Sequence, residues 1–246
     1  MRKLDSGFWR AGNPARSRLS AGSGRLKAGY RKFAIAALMV TGLTAAPREV
    51  SFTTADGGVI RADLYGSGAR GVVLAHGARF DKASWGKQAE VMAKAGFRVL
   101  AIDFRGYGQS RGGDKSAPGS GEKYEDILAA VRYLRENGAR TVSVIGASMG
   151  GGAAATALIH ARPGEIDRLI LLAPVPVAEP ERLAGPKLFA VSRGDALAAK
   201  VREQFEKAPE PKELLVLDGS AHAQFLFETD QGERLMNRIF DFLSKP

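Results

Sequence analysis

Short apolar runs alternate with segments of helical periodicity from Arg48 onward, and this alternation limits the possible folds more than any other feature. Residues 72–75 and 97–103 are apolar runs without regular polar alternation, which is typical of strands buried on both faces. Between 122 and 137 the apolar residues instead recur at helical spacing, which predicts a helix that stops at Asn137-Gly138. Repeated strand–helix units of this kind predict an α/β fold, a mostly parallel sheet with helices on both faces.

The remaining segments fit the same pattern. Residues 50–54 and 59–65 are joined by the turn sequence Ala55-Asp-Gly-Gly58 and predict a hairpin. The Gly- and Ser-rich stretch from 106 to 121 predicts an excursion over the surface. We further predict strands at 141–145, 168–172, 187–191 and 213–217, and helices at 85–95, 150–161, 196–207 and 228–243.

The net charge of +10 is concentrated at the beginning of the chain. Residues 1–47 contain nine Lys and Arg side chains and one acid, so they carry +8. The other 199 residues carry 27 basic and 25 acidic side chains, which gives no basic face of the kind that binds nucleic acid. The sequence has no cysteine, which excludes a thiolate nucleophile and Cys-ligated zinc, and it shows no other metal-ligand cluster.

Residues 1–46 have the parts of an export signal. A basic region is followed by the apolar segment 33–43 and then by the small residues Thr44-Ala45-Ala46. The 14 residues from 33 to 46 are fewer than the roughly 20 that span a bilayer. We therefore expect a basic leader with a signal peptide at 1–46, a single domain at 47–246, and an exported protein. The alternative is an uncleaved tail with one short helix on a cytoplasmic protein.

The sequence Gly146-Ala-Ser-Met-Gly150 is the central chemical feature. It follows a predicted strand and opens an Ala-rich helix, which is the context of a nucleophile elbow around Ser148. The flanking glycines allow a sharp turn, and the helix N-terminus places partial positive charge near a developing oxyanion. The alternative is a Gly-rich strand–helix turn that contains a serine by chance.

A serine nucleophile needs a base, and the chain has three histidines. His222 follows the strand predicted at 213–217, so it lies at a carboxyl strand end, where sites form in open α/β sheets. His160 lies about three turns down the helix that leaves the elbow, and we expect it to be solvated. His222 is the predicted base.

The acid that orients His222 is expected between the serine and the histidine in the chain. Asp195 directly follows the strand predicted at 187–191 and precedes a helix, so it is the favoured acid, although an Asp at that position is also a good helix N-cap. The competing acids lie at strand starts, on other loops or on the strand that leads to His222: Glu165, Asp167, Glu179, Glu181 and Asp218.

Two backbone N–H groups are expected to stabilise the oxyanion, those of Met149 and Ala78. His76, just before Gly77, is expected to hold this loop by a hydrogen bond. Arg79 is a candidate for substrate contact, and its alternative is an exposed loop arginine.

Five motifs occur in order along the chain: His76-Gly-Ala-Arg79, Asp103-Phe-Arg-Gly-Tyr-Gly-Gln-Ser110, Gly146-Ala-Ser-Met-Gly150, Ser192-Arg-Gly-Asp195 and Gly219-Ser-Ala-His222. Together they resemble the motifs of the α/β-hydrolase superfamily, and the resemblance covers almost all of residues 48–246. It implies an eight-stranded sheet whose second strand is antiparallel, and a structural role for Asp103.

Many members of this superfamily carry a lid after the sixth strand. Only residues 173–186 separate two predicted strands here, so no separate lid domain fits. The chain is therefore similar to the compact lidless serine esterases, including dienelactone-hydrolase-like and other small single-domain members. A dienelactone hydrolase proper typically uses a cysteine nucleophile, which this chain lacks.

The expected function is carboxylesterase-like hydrolysis of ester or thioester bonds through an acyl-enzyme on Ser148, without a cofactor or metal. Amide or peptide hydrolysis and acyl transfer use the same triad and stay open as alternatives. A non-catalytic binding protein that keeps the fold is a further possibility. The expected partner is a small-molecule ester, with no nucleic acid and no stable membrane insertion of the mature domain.

Overall fold

A computed structural model describes residues 46–112 and 123–245 of the chain. They form an eight-stranded sheet in the order β1-β2-β4-β3-β5-β6-β7-β8. The strands are β1 Arg48–Thr53, β2 Val59–Tyr65, β3 Arg70–Ala75, β4 Phe97–Ile102, β5 Thr141–Ala147, β6 Arg168–Leu172, β7 Lys187–Ser192 and β8 Lys212–Leu217. The α/β-hydrolase fold expected from the sequence is therefore confirmed.

The strand directions agree with the predicted hairpin. β2 pairs antiparallel with both β1 and β4, and all the other neighbouring strands pair parallel. β4 and β5 lie on opposite sides of β3, so the order of the strands reverses at β3. Crevices outside the carboxyl ends of the strands at such a reversal are the usual binding sites of open α/β sheets.

In the part of the chain that the structure describes, five α-helices cover the sheet: α1 Gly86–Lys94, α2 Lys123–Glu136, α3 Met149–His160, α4 Ala198–Lys207 and α5 Gly232–Ser244. Successive residues of a strand point to opposite faces. Accordingly Val73 of β3 packs in a core cluster with residues of α2, α3 and α4. Its neighbour Leu74 packs in a second cluster with residues of α1 and α5. Burial on both faces explains why the central strands are mainly apolar.

The last helix begins later than the pattern predicts. Residues Ala223–Glu228 form a 3-10 helix, and α5 starts only at Gly232. Thr229 has an extended backbone (φ −96°, ψ 171°), which breaks the helical path between the two. Residues 228–234, Glu-Thr-Asp-Gln-Gly-Glu-Arg, contain no large apolar side chain, so the apolar periodicity does not locate the start of this helix.

The segment between β6 and β7 is short. It contains one 3-10 turn, Pro180–Arg182, and no separate lid domain is evident in the described part of the chain. The predicted leader at 1–46 lies outside the described residues except for Ala46, as do residues 113–121 of the predicted surface excursion. Among the residues that the structure covers, no helix is long and apolar enough to cross a membrane.

Candidate active site

Ser148 lies at the sharp turn between β5 and α3. Its backbone has φ 50° and ψ −113°, a conformation that non-glycine residues rarely adopt. A Cβ atom added to Gly146 would lie 2.3 Å from the carbonyl oxygen of Gly150, and one added to Gly150 would lie 2.4 Å from that of Ala75. The turn therefore depends on both glycines, as the sequence analysis expects.

The structure brings the three predicted triad residues together. His222 Nε2 lies 2.8 Å from Ser148 Oγ. His222 Nδ1 lies 2.8 Å from Asp195 Oδ2. Since an ionised carboxylate only accepts hydrogen bonds, Nδ1 carries the ring proton and Nε2 is left to accept from the serine hydroxyl. The hydroxyl, the imidazole and the carboxylate form one continuous hydrogen-bond chain.

Asp195 makes a contact that fits each of the two roles left open by the sequence. Its Oδ2 bonds to His222, while its Oδ1 accepts from the backbone N–H of Leu197 at 2.7 Å, at the entry to α4. The side chain is only 1% exposed, compared with 39% for His222. Four of the competing acids instead pair with arginines: Glu165 with Arg162, Asp167 with Arg135, Glu179 with Arg182, and Asp218 with Arg193.

The loop of residues 76–80, here called the oxyanion loop, lies against the nucleophile. His76 is buried, and its Nδ1 donates to the carbonyl of Gly77 at 2.9 Å while its Nε2 accepts from the N–H of Phe104 at 3.3 Å. Burial lowers the pKa of His76 below the ordinary value of 6.5, which agrees with a neutral ring. Because the Gly77 carbonyl and the Ala78 N–H belong to one planar peptide, holding the carbonyl also orients the N–H.

Tyr107, which is not among the site residues predicted from the sequence, also contacts the oxyanion loop. Its hydroxyl donates to the carbonyl of Ala78 at 3.1 Å and lies 3.6 Å from Met149 Sδ. Its ring meets the imidazole of His76 edge-on, with the centroids 4.7 Å apart. Tyr107 therefore connects the two segments from which oxyanion donors are predicted. It lies inside the motif 103–110, which is the only sequence feature that could have pointed to it.

Gln224 is a second residue that sequence reasoning misses. Its Oε1 accepts from the N–H of Gly77 at 3.1 Å, and its Nε2 donates to Ser84 Oγ at 2.9 Å. The side chain is buried. Gln224 follows His222 by two residues, but no motif marks it, because its partners lie in a distant part of the chain.

Asp103 has structural partners. Its Oδ1 accepts from the backbone N–H of Lys82 at 2.7 Å, and Lys82 Nζ donates to Asp63 at 2.8 Å. Burial raises the pKa of the Asp103 carboxyl. The carboxylate thus anchors the segment that follows the oxyanion loop.

Two aromatic rings pack together on segments that flank the predicted site, one in the oxyanion loop and one three residues after His222. Phe80 of the oxyanion loop meets Phe225 edge-on at a centroid distance of 5.0 Å, and Phe225 is 41% exposed. Arg79 is exposed and lines an open cleft of about 470 Å³ together with Ala78, Phe80, Asp81, Gly106, Tyr107 and Gly108.

His160 is exposed at the end of α3 and stacks on Tyr124, as expected for a residue outside the site. Within residues 46–112 and 123–245, no group of three or more acidic or histidine side chains could hold a metal ion.

Comparison with known proteins agrees with this fold. The chain is 28% identical over 159 residues to the AB hydrolase superfamily protein YisY of Bacillus subtilis, a match that covers 58% of this chain and 56% of YisY. It is 29% identical over 160 residues to a non-heme haloperoxidase of Rhodococcus erythropolis, covering 62% of this chain and 55% of that protein. The chain thus spans little more than half the length of these curated relatives.

Among solved structures, an esterase of Pyrococcus furiosus superposes with a TM-score of 0.70 at 22% identity, over 80% of this chain and 91% of the esterase. At this identity the likeness concerns the fold. The family model described as serine aminopeptidase, S33 matches residues 67–205, which is more than half of the chain and includes Ser148 and Asp195. The chain is therefore a member of the serine aminopeptidase S33 family, within the α/β-hydrolase superfamily.

Proposed function

We propose that the protein is a serine hydrolase that cleaves carboxylic ester or thioester bonds through an acyl-enzyme on Ser148. The observation that carries the proposal is the hydrogen-bond chain from Ser148 Oγ through His222 to Asp195, with both contacts at 2.8 Å. A hydroxyl is a weak nucleophile at neutral pH, and this arrangement supplies the base and the group that orients the base.

In the acylation step, Ser148 Oγ attacks the acyl carbon while His222 Nε2 accepts the hydroxyl proton. The imidazolium that forms is stabilised by the carboxylate of Asp195. The tetrahedral intermediate then collapses, and the leaving alcohol or thiol takes the proton from Nε2. In deacylation His222 accepts a proton from water, the resulting hydroxide attacks the acyl carbon, and the carboxylic acid is released as Ser148 regains its proton.

The oxyanion of each intermediate accepts hydrogen bonds from the N–H groups of Met149 and Ala78 in this proposal. Met149 is the first residue of α3, so its N–H points along the positive end of the helix dipole. A Cβ atom added to Gly77, the neighbour of Ala78, would lie 3.4 Å from Ser148 Cβ, which supports the closeness that this role requires.

The substrates that fit this site are small esters with a short apolar group. Without a lid domain the site is open, and the exposed ring of Phe225, packed on the half-buried ring of Phe80, offers apolar surface on one side of the nucleophile. We assign Arg79 a contact with the polar part of the substrate, because it lines the cleft beside Phe80.

Labelling with a fluorophosphonate probe and a substrate panel test the proposal. We expect the full chain to be labelled at Ser148 and to hydrolyse p-nitrophenyl acetate and butyrate faster than the palmitate. Ser148→Ala should lose labelling and hydrolysis, whereas Ser67→Ala, a change at an exposed loop serine, should retain both. Aminoacyl p-nitroanilides in the same panel test peptide hydrolysis, and an added alcohol tests acyl transfer.

Labelling that persists in Ser148→Ala would contradict the assignment of the nucleophile. A wild-type protein that is neither labelled nor active on any ester would favour a binding protein that keeps the fold.

We also propose that residues 1–46 direct export and are removed. The arrangement of basic, apolar and small residues supports this proposal. N-terminal sequencing of the mature protein from its host is the test, and a product that retains residues 1–30 would contradict it.

A further inference from the structure

A side-chain hydrogen bond joins two loops of the active site that no backbone pairing connects. Gly77 lies two residues beyond the end of β3, in the oxyanion loop, and its buried N–H donates to Gln224 Oε1 at 3.1 Å. Gln224 follows His222 by two residues, so it extends from the loop that carries the proposed base. The two residues are 147 positions apart in the chain.

The other end of the Gln224 amide is also held. Its Nε2 donates to Ser84 Oγ at 2.9 Å, and Ser84 Oγ in turn donates to the carbonyl of Asp81 at 2.5 Å. Gln224 is 4% exposed. The orientation of the amide is determined, because the N–H of Gly77 requires the oxygen and the hydroxyl of Ser84 already donates to Asp81.

The hydrogen bond between Gln224 and Gly77 lies close to the hydroxyl of Ser148. A Cβ atom added to Gly77 would lie 3.2 Å from Gln224 Oε1 and 3.4 Å from Ser148 Cβ, so the amide and the nucleophile flank the same point. Between His222 and Gln224, Ala223 has φ 55°, an unfavourable value for a non-glycine residue. Such a conformation persists where surrounding contacts hold it, and the bonds of Gln224 are contacts of this kind.

We propose that Gln224 is a positioning residue that sets the oxyanion loop and His222 at a fixed distance from each other. This inference rests on the proposed hydrolase function. By holding the N–H of Gly77, Gln224 positions the next peptide, whose N–H at Ala78 is the proposed oxyanion donor. The same side chain is attached two residues from the base, so the donor and the base are aligned with Ser148 as one unit.

Replacement of Gln224 by methionine keeps the length of the side chain and removes its hydrogen bonds. Loss of a complete oxyanion donor lowers kcat by about 10²- to 10³-fold, so a displaced donor should lower it by at least about tenfold. The KM for p-nitrophenyl acetate should change much less, because the donor acts on the transition state rather than on the bound ester.

Gln204 provides a matched control. It is also a buried glutamine, 5% exposed, whose Oε1 accepts from the N–H of Val177 at 2.9 Å and whose Nε2 donates to the carbonyl of Lys200 at 3.2 Å. Gln204→Met thus removes the same kinds of bond in α4, away from the triad side chains. We expect it to lower the stability about as much as Gln224→Met and to leave kcat within about twofold of the wild type.

The experiment compares kcat, KM, the rate of fluorophosphonate labelling and the unfolding midpoint of the full-length variants. If Gln224→Met does not fold, Ser84→Ala takes its place. It removes the partner of Nε2 and the bond to Asp81 but keeps the bond from Gly77 to Oε1, and it should lower kcat by about threefold. A kcat that stays within about twofold of the wild type in Gln224→Met, or that falls equally in Gln204→Met, would overturn the positioning role. Activity that survives in Ser148→Ala would instead refute the proposed function on which this role depends.

Discussion

Replacement of Asp195 by asparagine should move the ring proton of His222 from Nδ1 to Nε2 while leaving the fold intact. In the wild type, Oδ1 accepts from the N–H of Leu197 at 2.7 Å and Oδ2 accepts from His222 Nδ1. In Asp195→Asn the amide oxygen must face the Leu197 donor, because an NH₂ group there would oppose another N–H. The NH₂ group therefore faces His222.

An amide donor next to Nδ1 forces that nitrogen to be the acceptor and moves the ring proton to Nε2. Nε2 can then no longer take the proton of Ser148. Where a triad aspartate is changed in this way, kcat falls by about 10⁴-fold, which corresponds to about 5 kcal/mol of transition-state stabilisation. Because Asn and Asp are nearly isosteric and the bond to Leu197 is kept, the free energy of unfolding should change by less than about 1 kcal/mol.

The assay is hydrolysis of p-nitrophenyl acetate at pH 7–8, together with denaturant unfolding. Asp218→Asn is the control, since Asp218 lies just before His222 but is exposed and pairs loosely with Arg193 at 3.6 Å. Its kcat should stay near that of the wild type. A kcat for Asp195→Asn within about tenfold of the wild type would refute the argument from the Leu197 bond.

Three further changes test other parts of the structure. Gly150→Ala should lower the free energy of unfolding by about 2 kcal/mol, since its Cβ would meet backbone oxygens at 2.4 and 2.6 Å. Gly86→Ala is the control: its Cβ would have its nearest atom at 3.9 Å, so the free energy of unfolding should change by less than about 1 kcal/mol. Equal effects of the two changes in denaturant melts would contradict this prediction. Phe225→Ser should raise KM for the butyryl ester more than KM for the acetyl ester. Val91→Ser, a control at a site of similar exposure, should raise neither KM. If Phe225→Ser leaves the ratio of the two KM values unchanged, Phe225 is not part of the substrate site. Burial lowers the pKa of Lys187 from 10.5 to about 8, so between these pH values the unfolded chain binds a proton that the folded chain does not. The free energy of unfolding, relative to that of Lys187→Met, should therefore rise by about 1 kcal/mol per pH unit. A difference that stays constant from pH 8 to 10 in urea melts would refute this prediction.

Much of the architecture follows from patterns that are local in the sequence. The continuous apolar runs of the central strands predict burial on both faces, and the sheet confirms it. The boundary of α5 does not follow in this way, because residues 228–234 contain no large apolar side chain and the extended residue Thr229 lies among them.

The sequence alone determined Ser148 and His222 as the candidates for nucleophile and base. An elbow is recognised from a strand, two glycines and a helix within a few residues, and His222 is one of three histidines in the chain. For Asp195, a helix cap and a triad acid were both open, and only the structure shows that one carboxylate oxygen bonds to the N–H of Leu197 and the other to His222.

The tertiary structure alone decided how the oxyanion loop is held. Gln224 and Gly77 are 147 residues apart, and the residues around each of them give no sign of the other. A hydrogen bond between distant segments depends on where the sheet places the ends of its strands, which is a property of the complete fold. Local patterns specify strands, turns and helices, but the side chains that connect loops across the site are specified only once the chain has packed.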